Sequence, residues 1–376
     1  MIIGIDGNEA NVEMRVGVHQ YSFEILWALY RLQNSQKYKH RFVIYLKKRP
    51  SGDLPPEKNY WKYKILPGGK LWVLTKLNKE LLFGEKIDIF FTPSHYLPFL
   101  TTMPKVCTIH DLGYLKYSAH FKNYDFWQLK YWTAISIIVS KYIITFSDFS
   151  KQDIVRHYRF ASNKIVITHH GYDIHRYHPK ISQTIVRRVN IKYGINSKYI
   201  LFLGTLKPSK NIEGLINAYN ELEDDTKQNY KLVIAGKRGW LYKTIFEKVK
   251  KLMLEDKVVF TDFVSEEDKP ALYAGSSLFV NASFWEGFGM QVLEAMACGK
   301  PVVVSNIASL PEVAGNAGTY VNPKKPREIA KGINKVLTLS KVDYNKLSRE
   351  SLSQAQKFSW VNSAKGVLSV FEKIKL

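Results

Sequence analysis

Short runs of β-branched and aromatic residues alternate with amphipathic segments of helical period in both halves of the chain. This alternation predicts βαβ units, and therefore parallel sheets with helices on both faces. In the first half the predicted strands are residues 2–5, 42–46, 87–91, 105–109, 142–146 and 165–168. In the second half they are residues 199–203, 231–235, 258–261, 278–282 and 301–305. We therefore expect an α/β protein with two doubly wound, Rossmann-like domains.

Helical periodicity fills most of the intervals between these strands, at residues 18–34, 125–140, 212–222, 241–254, 266–274 and 289–298. A polar stretch near residues 172–192 follows the last strand of the first set. We predict an N-terminal domain at 1–175, a second domain at 190–357, and an amphipathic helix at 358–376 that packs back on the first. Ligands bind at the carboxyl ends of parallel strands, so both domains should turn these ends toward one cleft.

The length and composition fit this plan, because 376 residues exceed the usual size of one domain and 45% of them are apolar. The net charge of +22 indicates anionic partners such as phosphorylated ligands, membrane surfaces or nucleic acid. A general drift of composition toward lysine explains it equally well. Cys107 and Cys298 lie among apolar residues, which favours buried, reduced thiols over a disulfide.

The chain begins without a basic region, and its longest apolar tract, residues 134–146, is too short to span a bilayer. We therefore expect a cytoplasmic protein, with peripheral contact to the inner face of the cytoplasmic membrane left open. Residues 116–142 mix basic and aromatic side chains at helical spacing. They fit an interfacial helix on anionic lipid, or a core helix with a solvated basic face.

Two glutamates, Glu286 and Glu294, follow the predicted strand at 278–282 with seven residues between them. Gly287 and Gly289 precede a predicted helix, whose free N–H groups can hold an anion. Eight helical residues span about 12 Å, which suits a ligand with hydroxyls at both ends and a diphosphate between them. A nucleotide sugar is such a ligand. The alternative is a loop acid and a solvated helix acid, although Glu294 has mostly apolar neighbours.

Two further loops offer groups for phosphate. Lys210 follows the strand at 199–203 at the start of a helix, with Lys207 nearby. Gly17 opens the helix after the first strand and offers N–H groups, and Arg15 is a weaker candidate. For the lysines the alternative is a solvated basic loop.

The segment FWEGFGMQVLEAMACGKPVVVSNIASLPEVAG, residues 284–315, resembles the signature of retaining glycosyltransferases of family 4, which have the GT-B fold. Similar segments, spread over most of the chain, are VCTIHDLGYL, FSDFSKQDI, HHGYD, FLGTLKPSKNIEGLINAY and LVIAGKRGW. The resemblance implies a hexosyltransferase with two Rossmann-like domains facing a central cleft. It also implies a nucleotide-sugar donor and a glycan or lipid-linked acceptor, as in surface polysaccharide synthesis.

The resemblance also implies residue roles. Glu286 would bind the hydroxyls of the donor sugar and Glu294 the ribose, while the backbone at Phe288 and Gly289 contacts sugar and phosphates. Lys210 would offset the charge on the leaving diphosphate. His110, at the end of the strand 105–109, would contact the sugar near its C6 hydroxyl, and Asp111 would orient the imidazole or contact the acceptor.

The chain departs from the family pattern at Thr205 and Ser209, where arginine is frequent. Lys207 is then the candidate for the missing cation. The nucleobase is expected after the strand 258–261, at residues 262–264, so Phe263 and Val264 join the donor-site residues. The segments GTLKPSKN and AGKRGW look most like members that use GDP-mannose, and UDP-sugars stay open.

Neither a cofactor nor a metal is expected, because no cluster with ligand spacing is visible and GT-B enzymes generally need no metal. The resemblance also implies a front-face reaction, in which the leaving phosphate helps to deprotonate the acceptor hydroxyl and no protein nucleophile is needed. Two alternatives are a GT-B-fold sugar-nucleotide epimerase and a basic nucleic-acid-binding protein. The family-like motifs argue against the first, and no nucleic-acid motif supports the second.

Overall fold

The computed structural model describes residues 1–34, 40–117 and 123–375, and it divides into two compact units. The first unit combines Met1–Gly171 with Ser359–Leu376, and the second is Tyr172–Phe358. The first boundary thus lies slightly before the predicted end of the N-terminal domain at 175. Each unit contains one parallel sheet with helices on both faces, so the predicted fold class is confirmed.

The first unit is built on a seven-stranded sheet of order β3-β2-β1-β4-β5-β6-β7, in which all pairings are parallel. Its strands are β1 Ile2–Asp6, β2 Arg41–Leu46, β3 Trp61–Ile65, β4 Ile89–Thr92, β5 Lys105–Thr108, β6 Tyr142–Thr145 and β7 Ile165–Ile167. Its helices are α1 Val18–Asn34, α2 Asn78–Phe83, α3 Gly113–Lys116, α4 Asn123–Val139, α5 Asp148–His157 and, from the end of the chain, α15 Trp360–Lys375. A π-helical turn Val73–Leu77 and a 3-10 turn Arg159–Lys164 complete it.

The C-terminal helix α15 packs against α1 of this unit and buries Trp360 and Phe371. The Phe371 ring lies 5.5 Å from that of Phe91 in β4. Gly171 makes the close approach possible, since a Cβ there would lie 2.0 Å from the backbone nitrogen of Trp360. The end of the chain therefore belongs to the core of the first unit.

The second unit is built on a six-stranded parallel sheet of order β10-β9-β8-β11-β12-β13. Its strands are β8 Lys198–Leu203, β9 Tyr230–Ala235, β10 Val258–Asp262, β11 Leu278–Asn281, β12 Val302–Ser305 and β13 Gly318–Val321. Its helices are α6 Gln183–Lys192, α7 Ile212–Asn220, α8 Asp224–Asn229, α9 Lys243–Lys251, α10 Lys269–Gly275, α11 Met290–Ala297, α12 Leu310–Ala314, α13 Pro326–Leu337 and α14 Lys341–Ala355. Short 3-10 turns lie at Pro208–Lys210 and Gly315–Ala317.

Two strands, β3 and β13, were missing from the sequence prediction, and each lies at an edge of its sheet. An edge strand exposes unpaired backbone N–H and C=O groups along one edge, and charged or polar side chains there discourage pairing with another chain. The sequence of β3, WKYKI, alternates lysine with aromatic and aliphatic residues. The sequence of β13 is GTYV, and three of its four residues are partly or largely exposed. Neither has the continuous apolar run that marks a strand buried on both faces.

Candidate functional site

The loop between β11 and α11 holds Glu286 in a buried network of hydrogen bonds. Its Oε1 accepts from Nζ of Lys210 at 2.5 Å and from Nδ2 of Asn281 at 3.1 Å. The Ser283 hydroxyl lies 3.0 Å from the same oxygen and 2.5 Å from Oδ1 of Asn281, and it can donate to one of them. Burial alone would raise the pKa of Glu286, but the Lys210 ammonium and the hydrogen bonds outweigh it, so the pKa lies below its usual range. The carboxylate is therefore ionised at neutral pH and can accept hydroxyl donors.

Lys210 reaches this carboxylate from the loop after β8, and both side chains are about nine-tenths buried. Asn211 follows with a left-handed backbone, and its amide donates to the carbonyl oxygens of Ala282 and Pro323. The N–H of Phe284 donates to the carbonyl of Ser209 at 2.9 Å. The two loops that carry Lys210 and Glu286 are thus tied together, which fixes the ion pair before any ligand arrives.

The glycine before α11 allows the loop to turn sharply into the helix. Gly289 has a φ of 103°, and a Cβ at this position would lie 2.7 Å from Cδ2 of Leu310. The Ser309 hydroxyl lies 2.9 Å from the carbonyl oxygens of both Glu286 and Phe288, and it can donate to one of them. This contact holds the turn so that the start of α11 lies at the carboxyl edge of the sheet, where helix N–H groups can face an anion.

Glu294 lies further along α11, and it is also buried. Its Oε2 accepts a hydrogen bond from the hydroxyl of Tyr273, in α10, at 2.8 Å. Burial holds the pKa of Glu294 above its usual range, against the opposing effects of the Lys269 ammonium, the Tyr273 hydroxyl and Arg176. The carboxylate thus has one fixed partner and cationic neighbours.

Two of those neighbours, Arg176 and Lys269, also pair with one carboxylate, that of Glu266. The Arg176 guanidinium lies 3.5 Å from Glu266 Oε2, and it donates to the carbonyl of Glu266 as well. The sequence reasoning missed Tyr273, Arg176, Lys269 and Glu266. These residues come from two separate segments, residue 176 and residues 266–273, and only the fold brings them to Glu294.

The other donor-site candidates of the second unit lie in loops at the same sheet edge. The loop of Thr205 and Lys207 pairs with the loop after β9, through hydrogen bonds between Leu206 and its neighbours there. The Lys207 ammonium lies 5.2 Å from the centre of the Trp240 ring and lowers the pKa of Glu286 slightly through its charge. Their roles, like those of Gly287 and Phe288, stay predictions.

The segment predicted to hold the nucleobase begins with Asp262, which has a left-handed φ of 53°. Its carboxylate binds Arg238 with two hydrogen bonds, of 2.8 and 3.2 Å. Phe263 is exposed, whereas Val264 is buried. The assignment of both residues to the nucleobase stays a prediction.

In the first unit His110 follows β5 and is packed among aromatic rings. Its Nε2 lies 3.0 Å from the carbonyl oxygen of Pro93, and the rings of Tyr21 and Phe146 lie within 5.2 Å. Burial lowers the pKa of His110, so the imidazole is neutral at pH 7 with its proton on Nε2. Asp111 does not orient this ring in the structure, because its Oδ1 accepts from the N–H of Gly113.

The first loop also differs from the simplest expectation. Gly17 has a φ of 54° and open space where a Cβ would lie, and it starts α1 as predicted. Arg15, the weaker candidate for phosphate, binds both carboxylate oxygens of Asp53 and the carbonyl of Ala10 in the structure. Its role in phosphate binding stays a prediction. Close enough to His110 to influence its pKa, His19 pairs with Glu9 at 3.1 Å, a contact that was not predicted from the sequence.

Several general properties of the described residues complete the picture. Cys107 and Cys298 are both buried free thiols. Within residues 1–34, 40–117 and 123–375, no three His, Cys, Asp or Glu side chains are grouped as metal ligands would be. None of the helices in these ranges is both long enough and apolar enough to cross a membrane.

Two family models match this chain and together cover most of it. Residues 188–357 match the model described as "Glycosyl transferases group 1", and residues 28–176 match "Glycosyltransferase Family 4". These segments contain Glu286, Glu294 and Lys210 in the first case and His110 in the second.

Curated relatives and solved structures agree with the family models. The O-antigen chain mannosyltransferase B of Escherichia coli is 32% identical over 314 residues, which are 82% of this chain and 79% of that protein. The serotype-specific mannosyltransferase WbdA of Escherichia coli is 35% identical over 197 residues, which are 50% of this chain but 23% of WbdA. A crystal structure of HepE from Anabaena, in complex with UDP and glucose, covers 99% of both chains with a TM-score of 0.75 and 18% identity.

Proposed function

This chain belongs to the group 1 and family 4 glycosyltransferases and has the GT-B fold, and from this premise we propose that it is a retaining mannosyltransferase. It would transfer mannose from a nucleoside-diphosphate mannose to a hydroxyl group of a growing surface glycan. The observation that carries glycosyl transfer is the buried Lys210–Glu286 pair at the edge of the second sheet. The choice of mannose is supported by the mannosyltransferase relatives.

In the proposed reaction the bond between C1 of the sugar and the diphosphate oxygen breaks, and the acceptor oxygen forms a new bond to C1 on the same face. The acceptor proton passes to the departing phosphate oxygen, so the chain needs no nucleophile of its own. Lys210 would stabilise the negative charge that develops on the diphosphate. Glu286, held by Lys210 and Asn281, would accept hydroxyls of the sugar and position C1.

We assign Glu294 to the ribose. Tyr273 holds one oxygen of this carboxylate, which leaves the other to accept the vicinal ribose hydroxyls. Arg176 and Lys269, which lie near Glu294 and bind Glu266, add positive charge where the nucleotide would lie. The N–H groups at the start of α11 and the loop of Thr205 and Lys207 would contact the phosphates, and His110 the sugar.

The proposed donor is GDP-mannose, and the proposed acceptor is a glycan, carried on a lipid or free. The support for the donor is the pair of loop segments GTLKPSKN and AGKRGW, together with the names of the relatives. We further propose that the enzyme works in the cytoplasm at an anionic membrane surface, since its net charge of +22 would attract such a surface. No cofactor is proposed.

The direct test offers GDP-mannose and UDP-glucose, each with a short mannose-containing acceptor, and measures released nucleotide and the product anomer. The proposal expects mannosyl transfer from GDP-mannose with the α configuration kept. Transfer with inversion, or transfer only from UDP-glucose, would refute it. Conversion of the sugar nucleotide without any acceptor would point instead to the epimerase alternative.

A further inference from the structure

Helix α4 exposes a row of large apolar side chains to solvent. Exposed fractions range from 36% at Ile135 to 75% at Tyr124. We define the α4 outer face by its five members: Tyr124, Trp127, Tyr131, Ile135 and Ile138. Their spacing of three and four residues places all of them on one side of the helix, along about 21 Å. Contiguous exposed apolar surface of this kind marks an interaction site.

The opposite side of α4 already forms the contact with the core. Ile137 is fully buried and belongs to the core cluster that contains Cys107 and Ile143. The Ser136 hydroxyl donates to the carbonyl of His95 and accepts from the N–H of Leu97. The described part of this segment is thus a core helix, but its solvent side is aromatic and aliphatic rather than the basic face considered from the sequence.

Positive charge surrounds the α4 outer face. The Lys130 ammonium lies 4.7 Å from the centre of the Trp127 ring. At the other end the Lys164 ammonium donates to the carbonyl of Ile138 and lies 5.8 Å from the ring of Phe160, which is also exposed. Across residues 116–164 the sequence has eight lysines and arginines against three aspartates and no glutamate.

We propose that the α4 outer face docks the enzyme on an anionic lipid bilayer. Tyrosine and tryptophan have an apolar body and a polar tip, which suits the boundary between headgroups and acyl chains. The surrounding lysines complement anionic headgroups. A second copy of this chain would fit poorly, because a symmetric contact would bring two equally basic rims together.

The proposal adds a partner to the proposed function, and only its biological purpose rests on that function. A lipid-linked glycan is confined to the membrane surface. An enzyme held at this surface by its first unit would meet such an acceptor at high effective concentration. Membrane binding itself requires no turnover, so it can be measured independently.

The test is co-sedimentation of the full chain with vesicles of phosphatidylcholine alone, and of equal parts phosphatidylcholine and phosphatidylglycerol. The wild type should bind the anionic vesicles and lose most of this binding at high salt. The double variant Trp127→Ser/Tyr131→Ser should bind on the order of tenfold more weakly, because two aromatic rings no longer enter the interface. Lys130→Gln/Lys164→Gln should lose roughly fivefold in vesicle binding per lysine.

The matched control is Ile191→Ser/Val342→Ser, which removes two strongly exposed apolar side chains from the second unit. This control should bind vesicles like the wild type. All variants should keep wild-type transfer to a water-soluble acceptor, which separates this proposal from the catalytic one. If transfer is absent throughout while Trp127→Ser/Tyr131→Ser still loses vesicle binding, the proposed function fails and the docking surface stands.

Three results would overturn the proposal. In the first, the wild type does not bind anionic vesicles. In the second, Trp127→Ser/Tyr131→Ser binds them as tightly as the wild type does. In the third, Ile191→Ser/Val342→Ser loses as much vesicle binding as the α4 variant. A fourth is self-association of the wild type in sedimentation velocity that the α4 variant abolishes. That outcome would make the face a contact between copies of the chain.

Discussion

In the second unit a buried lysine and a buried glutamate pair at the carboxyl edge of the sheet, whereas the same edge of the first unit carries a neutral histidine among aromatic rings. The first arrangement fixes charges, and the second mainly fixes shape. A nucleoside diphosphate demands fixed charge, because its phosphates and leaving group are anionic. The difference supports the proposal that the second unit binds the donor nucleotide, while the first contacts the donor sugar through His110.

The largest expected effect follows from Glu286→Gln. Glutamine keeps the size of the side chain but loses the charge that accepts the sugar hydroxyls, so transfer should fall about 10²–10³-fold. Affinity for free GDP should stay nearly unchanged, because GDP contains no donor sugar. Steady-state transfer and calorimetric titration of the same sample measure both quantities. A large loss of GDP affinity would contradict the assignment of Glu286 to the donor sugar. It would also weaken the contrast between fixed charge in the second unit and fixed shape in the first.

Lys210→Gln should reduce both GDP affinity and folding stability. Its removal leaves Glu286 buried without a cation, which costs about 3–5 kcal/mol of unfolding free energy at pH 7.

The pH dependence of stability should also change in Lys210→Gln. In the wild type the pKa of Glu286 is lowered, so its stabilisation is present above pH 4.5 and is lost as the pH falls through the folded pKa. In the variant only the Asn281 hydrogen bond and the Lys207 charge still oppose burial, so the pKa of Glu286 rises and stability should increase as the pH falls toward 5. Denaturant unfolding between pH 5 and 8 measures this slope. A variant with the wild-type slope would show that Lys210 does not set the ionisation of Glu286.

A smaller effect is expected at the ribose position. Tyr273→Phe removes one hydrogen bond to the Glu294 carboxylate, and GDP affinity should fall roughly tenfold. Glu294→Ala should weaken GDP binding further than Tyr273→Phe does. Tyr219→Phe is the matched control, because it loses a 2.7 Å bond to the carbonyl of Tyr230 in the same unit. Both tyrosine variants should lose a similar amount of unfolding free energy, but Tyr219→Phe should keep the wild-type affinity for GDP. Equal GDP binding by wild type and Glu294→Ala would exclude the ribose role.

The smallest effect on nucleotide binding is expected in the first unit. His110→Asn should lower transfer by roughly tenfold, as expected when one hydrogen bond to the sugar is lost. GDP affinity should not change, because the diphosphate and nucleoside would bind the second unit. Titration of the purified variant with GDP checks this expectation. A clear loss of GDP affinity would contradict the proposal that the nucleotide binds the second unit and that His110 contacts only the sugar.

The sequence was most informative where local pattern and chemistry coincide. Glu286 and Lys210 lie in loops that follow buried strands, so their places at a sheet edge could be predicted from short segments, and Glu294 lies in the predicted helix. Gly17 and Gly289 have the positive φ angles that their turns require. Roles within the site stay predictions, but the grouping of Lys210 with Glu286 is now a structural fact.

Residues brought together from distant segments were out of reach. Tyr273 and Arg176 lie near Glu294 only because α10 and the start of the second unit pack beside α11. The Arg15–Asp53 pair joins residues 38 positions apart, so a solvated or phosphate-binding arginine was the simpler expectation. The apolar side of α4 could not be assigned from periodicity either, since the helix is apolar on both sides.

The most direct measurement is calorimetric titration of the wild-type chain with GDP, UDP and ADP, in EDTA at moderate salt. We expect GDP to bind most tightly of the three, as GDP-mannose as the donor requires. Binding should need no divalent metal, because Lys210 and the start of α11 supply the positive potential for the diphosphate. Binding of none of the three nucleotides would contradict a preformed donor site in the second unit. Preference for UDP would leave that site in place and contradict GDP-mannose as the donor.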